Sequence, residues 1–368
     1  MGNYFLNSKK HHYDMHTLYI RTLKQANHTV FAVADGQKSY YDPVFNRKQP
    51  FSGGQQVKRC LLEEVNNQLN TPGSPTTFVF SVKKGEMKED EVYGTCRPDH
   101  VDQLLGGWMH AAKGGKSRTI KRRSPLSISA MYPLHPKLAR IDSENITFDR
   151  SNRSNNKVIV RDAKGNEMTE DQIAEALEGK DRSLSRKWIP GNDRAYGIFV
   201  QDIAIDLRRL FTVSLNKLEP EITDATEQEL RDSGWEEIDT IYGRSLIAPA
   251  SYRQKVIDAL AAAIIDWRIT SNQSRTFSLM QTLAIGVSPS ARNIGSALRA
   301  EQDTDDEGRP QVNVVVEEDM SNVETFVTPV AKGYLYANGY NKHALDNAEA
   351  HIKKLLSEYD YSGLAVSA

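Results

Sequence analysis

The chain of 368 residues has few of the residues that build disulfide frameworks or membrane spans. Its two cysteines, Cys60 and Cys96, fit neither a CxxC or CxxH metal spacing nor a disulfide framework. Both are interpreted as buried small residues of a protein in a reducing compartment. No apolar run approaches the ~20 residues of a membrane span, and the N-terminus lacks the apolar core of a signal peptide. We therefore expect a soluble, cytoplasmic protein with no membrane partner.

The charge of the whole chain favours no particular partner. It contains 47 Lys and Arg against 48 Asp and Glu, a formal net charge of −1. A case for nucleic-acid binding must therefore come from where the charges lie. Motifs of catalysis are also scarce. No GxSxG or HExxH motif occurs, and the cluster of His11, His12 and His16 has no carboxylate or thiol at ligand spacing. The sequence predicts neither an enzyme nor a cofactor or metal site.

Periodicity predicts an α+β fold. The predicted elements are strands at Thr17–Ala34, Thr76–Val82, Ala195–Leu210 and Val312–Val316, and helices after Ser52 and at Val101–Ala112, Thr169–Glu178, Ser251–Trp267 and Lys342–Tyr359. Asp35–Pro50 and the acidic Glu301–Arg309 are predicted loops. Two helices on one face of a sheet indicate an RRM-like or ferredoxin-like core. Residues 1–82 and 196–368 would form it, around a large insertion at 83–195.

A glycine-containing segment begins the first predicted helix, with the sequence Ser52-Gly53-Gly54-Gln55-Gln56-Val57-Lys58-Arg59. Free N–H groups at a helix N-terminus hold phosphates, and Lys58 and Arg59 would add cationic donors. The segment is not a P-loop, because the GxxxxGKS/T spacing is absent. The alternative interpretation of this segment is an ordinary capped helix with solvated basic residues.

A basic stretch, Lys113–Arg123, contains six cations and no acidic residue. Its glycines, its cations and the hydroxyls of Ser124 and Ser127 on the next predicted strand favour contact with RNA phosphates and 2′-OH groups. A solvated loop is the alternative. Further on, Arg182–Tyr196 places cations beside Trp188, which suits either base stacking or packing within the chain.

In this order, these segments resemble the DevR-type RAMP (Cas-seven) family, which forms the crRNA-binding backbone of the CRISPR Cascade complex. The similar segments are FSGGQQVKRCL after the first strand, Val101–Met109, Lys121–Ser129, and Tyr196–Val200 with Ile203–Asp206. The resemblance implies an RRM-like palm, an inserted finger or web region, and a thumb-like β-hairpin before Tyr196.

The resemblance also implies a function and partners. Copies would stack head to tail along one crRNA in a type I complex, with a target DNA or RNA strand, a capping RAMP protein and a large subunit. The implied RNA contacts, together with those favoured above, are Arg21, Ser52, Gln55, Gln56, Lys58, Arg59, Lys116, Arg118, Lys121, Arg122, Arg123, Ser124, Ser127 and Trp188.

Two alternatives stay open. A type III-like backbone protein would cut target RNA through an aspartate ahead of the first helix, here Asp35 or Asp42, although SGGQQVKR replaces that family's usual Pro-Gly-Ser-Ser segment. Both aspartates also lie in turn signals, Asp35-Gly36 and Asp42-Pro43. The other alternative is a stand-alone RNA-binding or autoregulatory protein.

Overall fold

The computed structural model describes residues 15–31, 36–111, 118–146, 157–181, 189–269 and 277–361, without the side chains of 144–146 and 189–192. The strands are β1 (Thr17–Thr29), β2 (Ser39–Asp42), β3 (Arg47–Pro50), β4 (Thr76–Lys83), β5 (Glu86–Gly94), β6 (Trp108–His110), β7 (Ile120–Arg122), β8 (Leu126–Ile128), β9 (Tyr132–Pro133), β10 (Ala139–Ile146), β11 (Ile189–Asp206), β12 (Thr212–Ser214), β13 (Glu236–Thr240), β14 (Gly243–Ile247), β15 (Gln281–Ser288), β16 (Leu298–Thr304), β17 (Pro310–Val316) and β18 (Glu324–Val327). The α-helices are α1 (Gly54–Leu69), α2 (Val101–Gly106), α3 (Glu170–Ala176), α4 (Leu207–Leu210), α5 (Asp224–Asp232), α6 (Ala250–Asp266), α7 (Ala291–Ala297) and α8 (Ala344–Ser357).

The largest sheet is antiparallel and has the order β10-β11-β1-β15-β18, with β8 and β9 also pairing with β11. Helix α1 lies in sequence between β1 and β8, and α6 lies between β11 and β15. The segment 83–195 predicted as an insertion therefore supplies β8, β9 and β10 to this sheet.

Helices α1 and α6 cover one face of the sheet. Side chains alternate along β1, so Leu18, Ile20 and Ala26 point to this face and are buried with Leu61 of α1 and Leu260 of α6. The strong periodicity of α1 and α6 made both helices predictable, and the structure confirms them within a few residues.

The opposite face of the sheet is covered in part by α7 and the β16–β17 hairpin. Leu23 and Val200 point to this face and are buried with Ile294, Leu298 and Val314. Tyr19 and Tyr132 pack against this cluster and are only partly buried.

Three predictions of local structure were wrong. The helix predicted at Val101–Ala112 ends at Gly106, because Gly107 has φ 73° and any Cβ there would lie 2.6 Å from Arg122 O. The acidic loop predicted at Glu301–Arg309 begins as strand, since β16 continues to Thr304 and pairs with β17, and the loop is confined to the turn that follows. The loop predicted at Asp35–Pro50 contains the β2–β3 hairpin.

Other local predictions are confirmed. Thr169 forms a capping box with Gln172 at the start of α3, and α8 forms the predicted C-terminal helix. Within the ranges that the structure describes, no helix is long and apolar enough to cross a membrane.

Candidate nucleic-acid interface

Helix α1 begins at the predicted glycine pair. Gly53 is the N-cap and offers no side-chain cap, and the first turn contains no acidic residue. A Cβ on Gly54 would lie 2.9 Å from Ile128 O, so only glycine lets the helix start this close to the end of β8. Gln55 is exposed and Gln56 partly buried at the resulting end. No side chain caps the first N–H groups of α1, so anion binding at this end stays a prediction.

Ser52 does not belong to this anion-binding end. It is completely buried, and its Oγ donates a hydrogen bond to Phe31 O at 3.2 Å. Its backbone exchanges hydrogen bonds with Met131, which ties the start of α1 to the segment between β8 and β9. Ser52 therefore positions the helix, and we no longer expect it to contact RNA.

The two basic residues of α1 have different surroundings. Lys58 Nζ donates to Gly106 O at 3.0 Å, Ser124 Oγ at 2.6 Å and Leu126 O at 3.4 Å, so its protons are used within the chain. Burial lowers the pKa of Lys58 to about 8. Arg59 is exposed and pairs with Glu63 at 3.2 Å, a surface pair that a phosphate can displace. Arg59 remains a predicted RNA contact, whereas Lys58 joins α1 to the residues around α2 and β8 by hydrogen bonds.

The basic segment before β8 divides in the same way. Alternation along β7 turns Arg122 inward, where it is buried and donates to the carbonyl oxygens of Leu104, Arg209 and Thr212. Its burial excludes the predicted RNA contact. Lys121 is exposed beside Glu219 at 3.0 Å, and Arg123 is exposed with no partner among the described residues.

Arg118 is also exposed, and its Nη1 donates to Leu218 O at 3.0 Å. With Lys121 and Arg123 it leaves the cationic side of the segment facing solvent.

The two predicted serines lie on opposite sides of the β8 backbone. Ser124 Oγ bonds to Leu105 O and Leu126 O at 2.8 Å and receives Lys58 Nζ, so it is a structural hydroxyl. Ser127 is exposed and pairs in register with Ala204, on the sheet face away from α1 and α6. Only Ser127 stays available to a ligand.

Arg21 lies on that same face, away from α1 and α6, and its side chain is only 16% exposed. Its Nε is buried without a hydrogen-bond acceptor, and Asp202 Oδ1 lies 3.4 Å away as an ion-pair partner. Burial raises the pKa of Asp202, and the charge of Arg21 opposes that rise.

Two tyrosines that were not predicted as site residues complete this face. Tyr19 precedes Arg21 by two positions on β1, and Tyr132 of β9 pairs in register with Val200. Period-two spacing from Arg21 could have identified Tyr19, but Tyr132 reaches the face only through the sheet pairing. Arg292 of α7, exposed and without a side-chain partner among the described residues, lies about one turn before Gly295, where a Cβ would lie 3.3 Å from Arg21 Nη1. We call Tyr19, Arg21, Ser127, Tyr132 and Asp202 the sheet-face cluster.

Asp42 serves the β2–β3 turn. Its Oδ1 accepts hydrogen bonds from the N–H groups of Val44 at 3.0 Å and Phe45 at 2.8 Å, the turn role considered above. Asp35, Lys116 and Trp188 lie outside the described residues. In the ranges that the structure describes, no group of three His, Cys, Asp or Glu side chains could hold a metal ion.

No protein-family model matches the chain, and no curated protein matches it. Among solved structures, it is similar to a chain of a "CRISPR RNA-guided surveillance complex", with 11% identity, a TM-score of 0.39, and cover of 92% of this chain and 84% of that one. It is also similar to a chain of a "CRISPR RNA-guided surveillance complex, pre-nicking", with 9% identity, a TM-score of 0.44, and cover of 95% of both chains. These neighbours come from the kind of complex that the sequence resemblance names. Both TM-scores lie below 0.5, so function is argued below from this chain's own residues.

Proposed function

We propose that this protein is a crRNA-binding backbone subunit of a type I CRISPR interference complex, and that it holds the guide RNA against the sheet-face cluster. The observation that supports this most strongly is Arg21, whose guanidinium lies 3.4 Å from the Asp202 carboxylate on the same sheet face as two partly exposed tyrosines. The role is one of binding and assembly, without catalysis.

The topology supports the proposal. The strand order β8-β11-β1-β15, with α1 and α6 on one face, is that of a ferredoxin-like core. RNA-binding domains with this topology stack bases on aromatic side chains of the sheet face. The palm of the proposed subunit is this sheet.

The chemistry of the sheet-face cluster suits single-stranded RNA. Tyr19 and Tyr132 offer rings for stacking, Arg21 offers charged donors, and Ser127 offers a hydroxyl for a phosphate or 2′-OH. Asp202 neutralises part of the charge of Arg21 in the free protein, and a phosphate would take over that role. Base stacking and phosphate contact of this kind bind RNA without reading its sequence, as a subunit that accepts any guide must do.

Exposed cations extend the proposed RNA path. Arg59 lies on α1 next to its free N-terminus, and Arg118, Lys121 and Arg123 precede β8, whose far end adjoins Gly54. The RNA path therefore runs along the β8 side of the sheet. Of the two aspartates considered for RNA cleavage, Asp42 is engaged in its turn, and Asp35 lies outside the described residues.

The test removes the ion pair at Arg21 without leaving its partner as an unpaired carboxylate. The double variant Arg21→Gln/Asp202→Asn is compared with Arg244→Gln/Glu237→Gln, which removes the ion pairs of Glu237 with Arg244 and Arg231, away from the large sheet. Affinity for a short single-stranded RNA is measured by fluorescence anisotropy at several salt concentrations.

We expect the first variant to bind about tenfold more weakly, with the slope of log K against log salt reduced by about 0.7, the value for one lost phosphate contact on a single strand. The control should bind like the wild type. Equal affinity and slope for both variants, with intact folds, would remove the sheet face from the RNA site. Co-purification with a guide-repeat array, followed by RNA sequencing, tests the subunit role itself.

A further inference from the structure

A small pocket lies between α4 and the separate β12-β14-β13 sheet. Basic, hydroxyl and aromatic side chains line it together with one carboxylate, and they include Arg122, Arg123, Arg209, Ser214, Tyr242 and Glu221. Arg209 of α4 comes shortly after β11, and Arg123 comes shortly before β8, which pairs with the end of β11. The pairing of these strands therefore brings together two cations that are distant in sequence. We call this site the α4 pocket.

The guanidinium of Arg209 is held in place without the use of its N–H groups. Its carbon lies 3.7 Å from the ring centroid of Tyr242. The carboxylates of Asp206 and Glu221 lie 3.9 Å and 4.0 Å from its nitrogens, which is longer than a hydrogen bond. Within the described residues this guanidinium donates no hydrogen bond. A planar fork that is fixed on an aromatic ring, with its donors unused, suits bidentate binding of an oxyanion.

Further groups of the α4 pocket can bind the same oxyanion. Arg123 is exposed and has no partner in the part of the chain that the structure describes. Ser214 Oγ accepts a hydrogen bond from Asn216 N at 3.2 Å, so its own proton can be donated to a ligand. One oxygen of Glu221 is engaged by the chain, because it accepts a hydrogen bond from Ser214 N at 2.8 Å. Arg122 is buried in the wall of the pocket and adds charge without contact to the ligand.

The charge and size of the α4 pocket favour a phosphate. Four arginines stand against two carboxylates, a net charge of +2, and these residues are Arg122, Arg123, Arg208, Arg209, Asp206 and Glu221. One guanidinium fork is enough for the two oxygens of a carboxylate, whereas the additional oxygens of a phosphate can reach a second arginine and a hydroxyl. The pocket is too small to enclose a ligand, so the phosphate would lie at its mouth, against Arg209 and Arg123.

Exposed cations continue from the mouth of the α4 pocket along one segment of chain. Lys121 Nζ lies 3.0 Å from Glu219, and its backbone N–H donates to Pro220 O at 3.1 Å. Arg118 donates to Leu218 O at 3.0 Å. The segment that these two cations contact leads directly to the glutamate of the pocket. A row of exposed cations beside one phosphate site suits a ligand with repeating phosphates, which is a polynucleotide.

We propose that the α4 pocket binds a backbone phosphate of the RNA, with Arg209 and Arg123 as its ligands and Tyr242 as the residue that positions Arg209. The inference rests on the proposed function, since the ligand is the strand that the sheet-face cluster holds. It adds a phosphate contact outside that cluster, beyond the end of β8 at which Arg123 lies. The RNA would therefore pass from the sheet face over β8 to α4.

The experiment changes the α4 pocket by single substitutions. Arg209→Gln removes the charge, Arg209→Lys keeps the charge but removes the fork, and Tyr242→Leu removes the ring on which the fork lies. Arg244→Gln is the matched control, because this exposed arginine lies two positions after Tyr242 and outside the pocket, and its partner Glu237 keeps a second arginine. Affinity for a single-stranded RNA is measured by fluorescence anisotropy at several salt concentrations, and urea unfolding checks the fold of each variant.

We expect Arg209→Gln to bind the RNA about tenfold more weakly, with the slope of log K against log salt reduced by about 0.7, as for the loss of one phosphate contact. Arg209→Lys should keep the slope of the wild type and bind with intermediate affinity, because an ammonium neither forks nor stacks like a guanidinium. Tyr242→Leu should also keep the slope and bind more weakly. The control should bind like the wild type. Combined with Arg21→Gln/Asp202→Asn, the losses of affinity should multiply, since the two sites share no side chain.

Equal binding of Arg209→Gln and the control at every salt concentration would overturn the inference, and so would weaker binding of Arg209→Gln with an unchanged salt slope. A wild type that binds no RNA would refute the proposed function, and inorganic phosphate then tests the α4 pocket alone. Thermal unfolding is compared in phosphate and in chloride at equal ionic strength, with the control included because phosphate also stabilises proteins in general. A larger phosphate-dependent rise of the midpoint for Arg244→Gln than for Arg209→Gln would assign the pocket to a phosphate other than that of RNA, and equal rises would overturn it.

Discussion

Lys58 allows the clearest separation of a structural role from an RNA-binding one. Replacing it with Met keeps the length of the side chain and removes the ammonium that joins Gly106 O, Ser124 Oγ and Leu126 O. In this variant Ser124 Oγ still donates to Leu126 O, whereas Gly106 O loses the side-chain donor that Lys58 supplies. A buried acceptor left unpaired costs about 1–3 kcal/mol, and removal of a partly buried charge offsets some of that cost. We expect Lys58→Met to lower the free energy of unfolding by about 1–2 kcal/mol.

The measurement is urea unfolding followed by circular dichroism, with Arg59→Met as the neighbouring control. Arg59 has only its exposed pair with Glu63, so its loss should cost less than about 0.5 kcal/mol. RNA affinity should show the reverse order, with Arg59→Met the weaker binder. Equal stability of the two variants, or weaker RNA binding by Lys58→Met, would refute the structural role.

The pH dependence gives a second check on Lys58. Burial lowers its pKa in the folded chain to about 8, from an ordinary value of 10.5. Between these two pH values the unfolded chain binds more protons than the folded one, so the stability of the wild type should rise with pH. Lys58→Met lacks this group, and its stability relative to wild type should therefore fall as the pH rises from 8 to 10.5. A difference between the two proteins that stays constant over this range would contradict the burial of the ammonium.

Three further changes have defined outcomes. Gly197→Ala should lower the free energy of unfolding by more than about 2 kcal/mol, because Gly197 has φ 136° and a Cβ there would collide with Leu138 O. Urea unfolding should show this as a lower midpoint. Arg122→Met should lower the free energy of unfolding by about 3 kcal/mol in the same assay, since three carbonyl oxygens lose the guanidinium that donates to them. The refolded variant should still bind RNA. Asp42→Ala should lower the free energy of unfolding by about 1 kcal/mol, because the turn loses two hydrogen bonds. Neither this variant nor the wild type should cut paired RNA with Mg²⁺ present. Cutting at regular intervals by the wild type that the variant has lost would favour the type III-like alternative.

The elements that were predictable from sequence are those whose pattern is local. Helix α6 has an apolar face at helical spacing, and the Thr169 capping box lies within four residues. Strand β1 was predictable from its β-branched and aromatic residues, although the shift of its register with β11 between Ala26 and Thr29 was not. Each of these signals is complete within one segment of chain.

The site was only partly predictable, because distant pairing decides which side chains reach it. Six cations from Lys113 to Arg123 look equivalent in the sequence, yet the β6–β7 pairing buries Arg122 and leaves Lys121 exposed. Lys58 looked like a phosphate ligand because its acceptors lie 48 and more positions away along the chain. Tyr132 joins Arg21 only through the register of β9 with β11. Short hairpins such as β2–β3 show no clear alternation of apolar and polar residues, so the sequence predicts a loop where the structure has two strands.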